Sequence, residues 1–136
     1  MPAAIEFAIE PTLSAGEFRA VLIASTLGER RPVEDLPRLE RMLRGADVIA
    51  TARDAGRLVG VSRAISDFAY CCYLSDLAVD LAYQRRGIGK RLIDETHAAC
   101  GPETSLFLLA APAAEGYYPK IGLRHFPSCW LIPRSE

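Results

Sequence analysis

Leu77-Ala78-Val79-Asp80-Leu81-Ala82-Tyr83-Gln84-Arg85-Arg86-Gly87-Ile88-Gly89-Lys90-Arg91-Leu92 carries the chain from an apolar strand, through a basic turn with two glycines, into an amphipathic helix. Such a turn builds an anion pocket from main-chain atoms. The first amides of a helix lack intrahelical partners, the helix dipole makes that end electropositive, and glycine lets a phosphate approach the backbone without meeting a Cβ. Arg85, Arg86, Lys90 and Arg91 surround the turn with positive charge. The stretch therefore predicts a ligand bearing a diphosphate.

Spacing eliminates two common phosphate loops. A P-loop needs glycine five residues before its Gly-Lys pair and Ser or Thr after it, where this chain has Gln84 and Arg91. A GxGxxG dinucleotide fingerprint needs a third glycine at position 92, which is Leu. What remains, Gln84-Arg85-Arg86-Gly87-Ile88-Gly89, resembles the Q/R-x-x-G-x-G/A pyrophosphate loop of the GNAT-type N-acetyltransferases. Some thirty residues on, Tyr117-Tyr118-Pro119-Lys120-Ile121-Gly122-Leu123 is similar to the aromatic-Tyr-x-x-x-Gly-Phe signature of the same family. The two motifs span Leu77 to Leu123. Leu123 replaces the usual Phe, Pro119 interrupts the motif, and an asparagine common near the start of this helix has no counterpart in Ala113-Ala114-Glu115.

Composition sets the outer bounds. A chain of 136 residues with half its residues apolar suits one globular domain, 1–136, and no repeat or linker divides it. The net charge of −1, with the basic excess gathered at Arg85 to Arg91, fits one small polyanion better than a nucleic-acid backbone. The N-terminus lacks a basic region followed by an apolar core, and the longest nearly uncharged run, Ser105 to Ala114, is far shorter than the ~20 residues that span a bilayer. A cytoplasmic protein with neither nucleic-acid nor membrane partner is the expectation. Cys71, Cys72, Cys100 and Cys129 contain no Cys-x-x-Cys, and His97 and His125 pair with none of them at metal-site spacing, so reduced structural thiols and no metal are expected.

The elements read in order. Ile5 to Glu10 alternates as a strand closed by Pro11, and Phe18, Val21, Leu22 and Leu27 make a helix capped by Thr12 or Ser14. Leu36, Leu39, Met42 and Leu43 recur as a second helix ending at Gly45. Asp47 to Arg53 and Arg57 to Ile65 flank the turn Asp54-Ala55-Gly56 as a hairpin, and a turn at Asp67-Phe68 leads to a long central strand, Ala69 to Val79. Ile88, Leu92, Ile93 and Thr96 share one face of the next helix, which stops at Gly101-Pro102 before a buried strand from Ser105 to Ala110. A last helix and one or two further strands complete the order. The expected class is α/β: a single-domain GNAT-like mixed sheet with helices on both faces and central strands splayed at the acyl-CoA site.

The resemblance implies the chemistry. Acetyl transfer from a thioester to an amine needs near-attack positioning, stabilisation of the oxyanion and a proton for the leaving thiolate, with no metal or covalent intermediate. In this reading acetyl-CoA is the co-substrate. Leu77, Ala78 and Val79 lie where the strands part and bond the pantetheine arm, with the Val79 amide facing the thioester oxygen. Main-chain amides across Gln84, Arg85, Arg86, Gly87, Ile88, Gly89 and Lys90 take the pyrophosphate. Tyr118 aligns with the family tyrosine that protonates the departing sulfur, and its neighbour Tyr117 packs inward. Asp76 is a candidate general base, directly or through water, set against a structural role bonding a strand or helix terminus. Glu29, Glu34 and Asp35, with Arg30 and Arg31, lie in or beside the loop between the first two helices, which borders the acceptor site in relatives, and a solvated face explains them equally well. The acceptor is a primary amine of a small molecule or peptide. Alternatives are transfer of a different acyl group and a non-catalytic acyl-CoA sensor. Dimerisation enters by family analogy alone.

Overall fold

A computed structural model of the chain describes residues 4–135. The alternating N-terminal run forms β1 (Ile5–Ile9), and α1 (Ala15–Ser25) follows. Its cap is Ser14, whose Oγ accepts the Glu17 N–H at 3.1 Å. A 3₁₀ turn at Leu27–Arg30 leads to α2 (Leu36–Arg44), where Asp35 caps by accepting the Arg38 N–H and Pro37 stands in the first turn, which needs no donor there.

The hairpin β2 (Val48–Asp54) and β3 (Arg57–Ser66) is followed by β4 (Cys71–Val79), α3 (Ile88–Cys100), β5 (Ser105–Phe107) and a four-residue α4 (Tyr117–Lys120). The five strands make one mixed sheet in the order β1-β2-β3-β4-β5, antiparallel except for the β4–β5 pair that α3 connects. Helices cover both faces. Phe18, Val21, Leu22, Leu39 and Leu43 of α1 and α2 pack on Ile49, Val61 and Ala78, while Ile88 and Leu92 of α3 pack on Ala50, Ala52 and Val59. The expected apolar face of α3 is buried throughout, and its Thr96 hydroxyl reaches Ser62 Oγ at 2.7 Å.

One irregularity shapes the site. Between Arg63 and Ala64 the β3–β4 register shifts, so Ser75 is an extra residue on β4. A bulge bends and twists its strand. Consistent with that bend, β4 pairs with β5 only through Cys71, Cys72 and Tyr73, before the bulge, and the strands part beyond it.

Two expectations are corrected here. The strand foreseen from Ser105 to Ala110 ends at Phe107, because the partner strand has turned away. The one or two strands foreseen after the last helix do not form: residues 123–135 are neither helix nor strand. A strand needs an edge to pair with, and this segment meets none on its own chain. Among the described residues no helix is long and apolar enough to cross a membrane, and no group of three or more His, Cys, Asp or Glu is placed to hold a metal.

Candidate functional site

The parted strands open a cleft of about 1040 Å³ between the 3₁₀ turn at one end and the first turn of α3 at the other. Leu77, Ala78, Val79, Gln84, Arg85, Gly87, Ile88, Gly89, Lys90 and Tyr118 all line it.

The direction of the β4 backbone follows from its bonds. Asp80 N–H donates to the Val59 carbonyl across the sheet at 2.9 Å. Peptide groups alternate sides along a strand, so the amides of Leu77 and Val79 face the opening. The Val79 carbonyl, on that same side, accepts Gln84 Nε2 at 3.1 Å. Gln84 thus ties the loop back to the strand with its side chain. The Ala78 amide faces β3, and its methyl packs with the α1 core, so Ala78 contributes wall rather than hydrogen bonds to the cleft.

The loop itself is built by local conformation. Gly87, at φ 76°, occupies the left-handed region that glycine enters freely, and Arg85, at φ 65°, enters it at a cost. The first intrahelical bond is Arg91 N–H to the Gly87 carbonyl, at 3.1 Å. The amides of Ile88, Gly89 and Lys90 therefore have no partner within α3, and no side chain caps them from position 87.

The basic side chains divide into different roles. Lys90 bonds Asp94 at 2.5 Å and Arg91 bonds Glu95 at 2.8 Å, while Arg86 stacks 5.0 Å from the centroid of Tyr83. Tyr83 also bonds Asp54 and accepts Arg57 Nη2 at 3.2 Å, anchoring the loop to the β2–β3 hairpin. Sequence inspection does not find this anchor, because Tyr83 and Asp54 meet only through the fold.

At the other wall, α4 begins at Tyr117, which places Pro119 in a first turn where its missing donor is harmless. The two tyrosine rings diverge, edge to face at 5.3 Å and 70°. Tyr118 is half-buried, and desolvation, with Tyr117 beside it, holds its phenol above the ordinary tyrosine pKa of 10.0. It stays protonated through the neutral range. Tyr117 does not pack inward as expected: a Cβ built on Gly89 would lie 2.8 Å from the Tyr117 hydroxyl. The second loop glycine therefore makes room for a phenol, and Tyr117 belongs to the site.

Asp76 does not line the cleft. Its side chain has no exposed surface, and its two oxygens are held by Arg31 Nε and Arg63 Nε. Arg63 also donates to the Met42 carbonyl (3.2 Å) and Ser75 Oγ (3.0 Å), and Arg31 Nη2 to the Ser75 carbonyl (2.7 Å). Arg31 was expected on a solvated face. It is instead the link that pins the 3₁₀ turn to the β4 bulge, and a partner 45 residues away leaves no spacing signal. Glu29 and Arg30 line the cleft at this end, and Glu29 is its only carboxylate among the described residues.

The geometry has counterparts. Residues 32–127 match the family model described as the acetyltransferase (GNAT) domain. The chain belongs to the GNAT acetyltransferase family. Comparison with curated proteins finds no significant match. Among solved structures, a GNAT-family acetyltransferase from Streptococcus pneumoniae TIGR4 superposes with a TM-score of 0.75 at 22% identity, over 96% of this chain and 100% of that one. The aminoglycoside N-acetyltransferase AAC(6')-Iy, in complex with CoA, gives 0.75 at 15% identity over 99% and 97%. A ribosomal-protein-alanine N-acetyltransferase from Brucella melitensis biovar Abortus 2308 gives 0.70 at 21% over 96% and 100%. These likenesses establish a shared fold, a mixed α/β sheet of the GNAT type.

Proposed function

We propose that this GNAT protein, a single domain over 1–136, transfers an acetyl group from acetyl-CoA to a primary amine of a small molecule or peptide, by direct attack in a ternary complex. The observation that carries the reading is the placement, in one cleft, of an open β4 edge, three helix-free amides and a protonated phenol. The residues suit the co-substrate: the amides of Ile88, Gly89 and Lys90 receive the pyrophosphate, assisted by Arg85, and the backbone at Leu77 and Val79 bonds the pantetheine arm as an added strand would. A fold relative crystallised with CoA supports this choice.

In the reaction the Val79 N–H stabilises the thioester oxygen as it gains charge, a contribution of about 10²- to 10³-fold for one such donor. Tyr118 gives its proton to the departing sulfur. Asp76, clamped by two guanidinium groups, acts as a positioning residue that holds Arg31 and the 3₁₀ turn in place, and the amine loses its proton to water in the open cleft. Glu29 faces the acceptor end, where a carboxylate attracts an ammonium before it deprotonates.

Thiol release during incubation with acetyl-CoA and a panel of amines tests the transfer, and thermal shifts with acetyl-CoA, bulkier acyl-CoAs, ATP and NAD test the ligand. Stabilisation by acetyl-CoA with amine-dependent thiol release is expected. Stabilisation without release would make the protein an acyl-CoA sensor, and preference for a bulkier acyl-CoA would change the donor. Stabilisation by ATP alone would overturn the reading.

A further inference from the structure

Two thiols meet where the end of α3 packs against β4. Cys72 on β4 and Cys100, the last residue of α3, are 28 positions apart in the chain, yet Cys100 Sγ donates to Cys72 Sγ at 3.1 Å. Neither lines the cleft, and both are buried with Val48, Ala64 and Leu106. A disulfide holds its sulfurs about 2.05 Å apart, so a closure of roughly 1 Å would join them. A metal needs more ligands than two thiols, and among the described residues no group of three or more His, Cys, Asp or Glu is placed to hold one. Cys71 is exposed on the opposite face of β4, and Cys129, also exposed, is no part of this cluster.

We propose that Cys72 and Cys100 are an oxidisable dithiol, which a small hydroperoxide converts to a disulfide stapling α3 to β4. Access comes from the helix end. Cys100 lies in the last turn of α3, before Gly101 breaks the helix at φ 103°, and terminal turns open at the lowest free energy. The turn beyond is held by Thr104 Oγ on the Gly101 carbonyl at 2.8 Å and by His97 Nε2 on the Thr104 carbonyl at 2.7 Å, so a brief opening admits hydrogen peroxide rather than a bulky oxidant. Burial, with Cys100 beside it, pushes the Cys72 thiol up to about 12, which makes Cys72 the resolving sulfur and Cys100 the attacking one. The Cys100 thiolate takes one oxygen from the peroxide, whose O–O bond breaks to release hydroxide, and the hydroxide takes up the proton that Cys100 gave away. Cys72 Sγ then attacks the resulting sulfenic acid, and its own proton leaves with the displaced hydroxide as water. Two thiols become one disulfide, and the peroxide is reduced to two waters. The bond closes a loop that contains every residue from Leu77 to Lys90. Since α3 has 13 residues, the staple stands about 18 Å along the helix from its first amides. The oxidised chain therefore keeps the cleft assembled at temperatures that unfold the reduced one, whatever ligand the cleft takes.

The test uses the full chain with Cys71→Ser and Cys129→Ser, which remove the exposed thiols. The protein is reduced, freed of reductant, treated with a slight excess of hydrogen peroxide, unfolded in N-ethylmaleimide and mapped by mass spectrometry. A peptide pair joined at Cys72 and Cys100 is expected, lighter by the two hydrogens lost and free of maleimide. Because the cross-link restricts the unfolded chain, Tm should rise by roughly 10 °C and return to its starting value with dithiothreitol. In Cys100→Ala the peroxide should leave Tm unchanged; should that variant fail to fold, the joined peptide decides alone. Maleimide on both Cys72 and Cys100 after peroxide treatment would make them inert core thiols and overturn the proposal. So would a sulfinic acid at Cys100 without the cross-link, and so would a Tm gain that survives Cys100→Ala.

Discussion

Replacing Asp76 separates a buried strut from a catalytic base. The carboxylate has no exposure, Arg63 is 8% exposed and Arg31 22%, so this is an internal ion triad rather than a surface pair. Removing one partner of a buried pair costs about 3–5 kcal/mol, because the remaining charge is left without compensation. Arg31 can turn its tip to water, and Arg63 retains the Met42 carbonyl and Ser75 hydroxyl, which puts Asp76→Ala at the low end, about 3 kcal/mol. Asp76→Asn keeps one acceptor oxygen and should lose about 2 kcal/mol. For a domain of this size each kcal/mol lowers Tm by about 3–4 °C, so the alanine variant should melt roughly 10 °C lower. The fold survives, since a chain of this length holds on the order of 7–20 kcal/mol. Urea denaturation followed by circular dichroism measures the loss, and kcat/KM against pH measures the chemistry. The strut predicts lowered stability, similar behaviour in Arg63→Met, and an unmoved acid limb of the pH profile. An Asn variant within about 0.5 kcal/mol of the parent that loses both turnover and the acid limb would make Asp76 the base and refute the argument.

Other perturbations test the remaining parts. Tyr118→Phe should lower kcat by about 10²- to 10⁴-fold and leave acetyl-CoA affinity nearly intact in a titration; an unchanged kcat removes the phenol from the reaction. Gly87→Ala forces a Cβ into the left-handed region and should cost about 1–2 kcal/mol in thermal unfolding, whereas Gly89→Ala, in helical backbone, should spare stability and displace the Tyr117 hydroxyl, weakening acetyl-CoA binding in a titration. Arg53 hydrogen-bonds Glu10 and Glu17 and holds both carboxyls below the ordinary value of 4.5. Depressed native pKa values favour folding above the unfolded value and are lost as pH falls through the native ones. Stability should therefore decline below about pH 4.5, and Arg53→Met should flatten that decline in acid titration of unfolding. A variant with the parental slope would show that the network carries no linkage.

The local grammar of this chain was readable because local physics decides it. Ser14 and Asp35 cap helices, Asp54-Ala55-Gly56 turns a hairpin, and Gly87 opens the loop, all through atoms within a few residues. The alternation and helical periods likewise chose the faces of β1, α2 and α3, so the element order through α3 followed from patterning, while the mixed GNAT-type sheet and α4 came with the resemblance.

What depended on distance was hidden. Arg31 looked like a solvated cation until the fold set it against Asp76, and Tyr117 looked like a core aromatic until α4 packed on Gly89. The bulge at Ser75, which coincides with the end of β4–β5 pairing, arises from pairing between strands and leaves no pattern along either one. The missing final strands have the same origin. Residues 128–132 have the composition of a strand, but a strand exists only when another backbone answers its amides and carbonyls, and that is a property of the assembled sheet rather than of the segment.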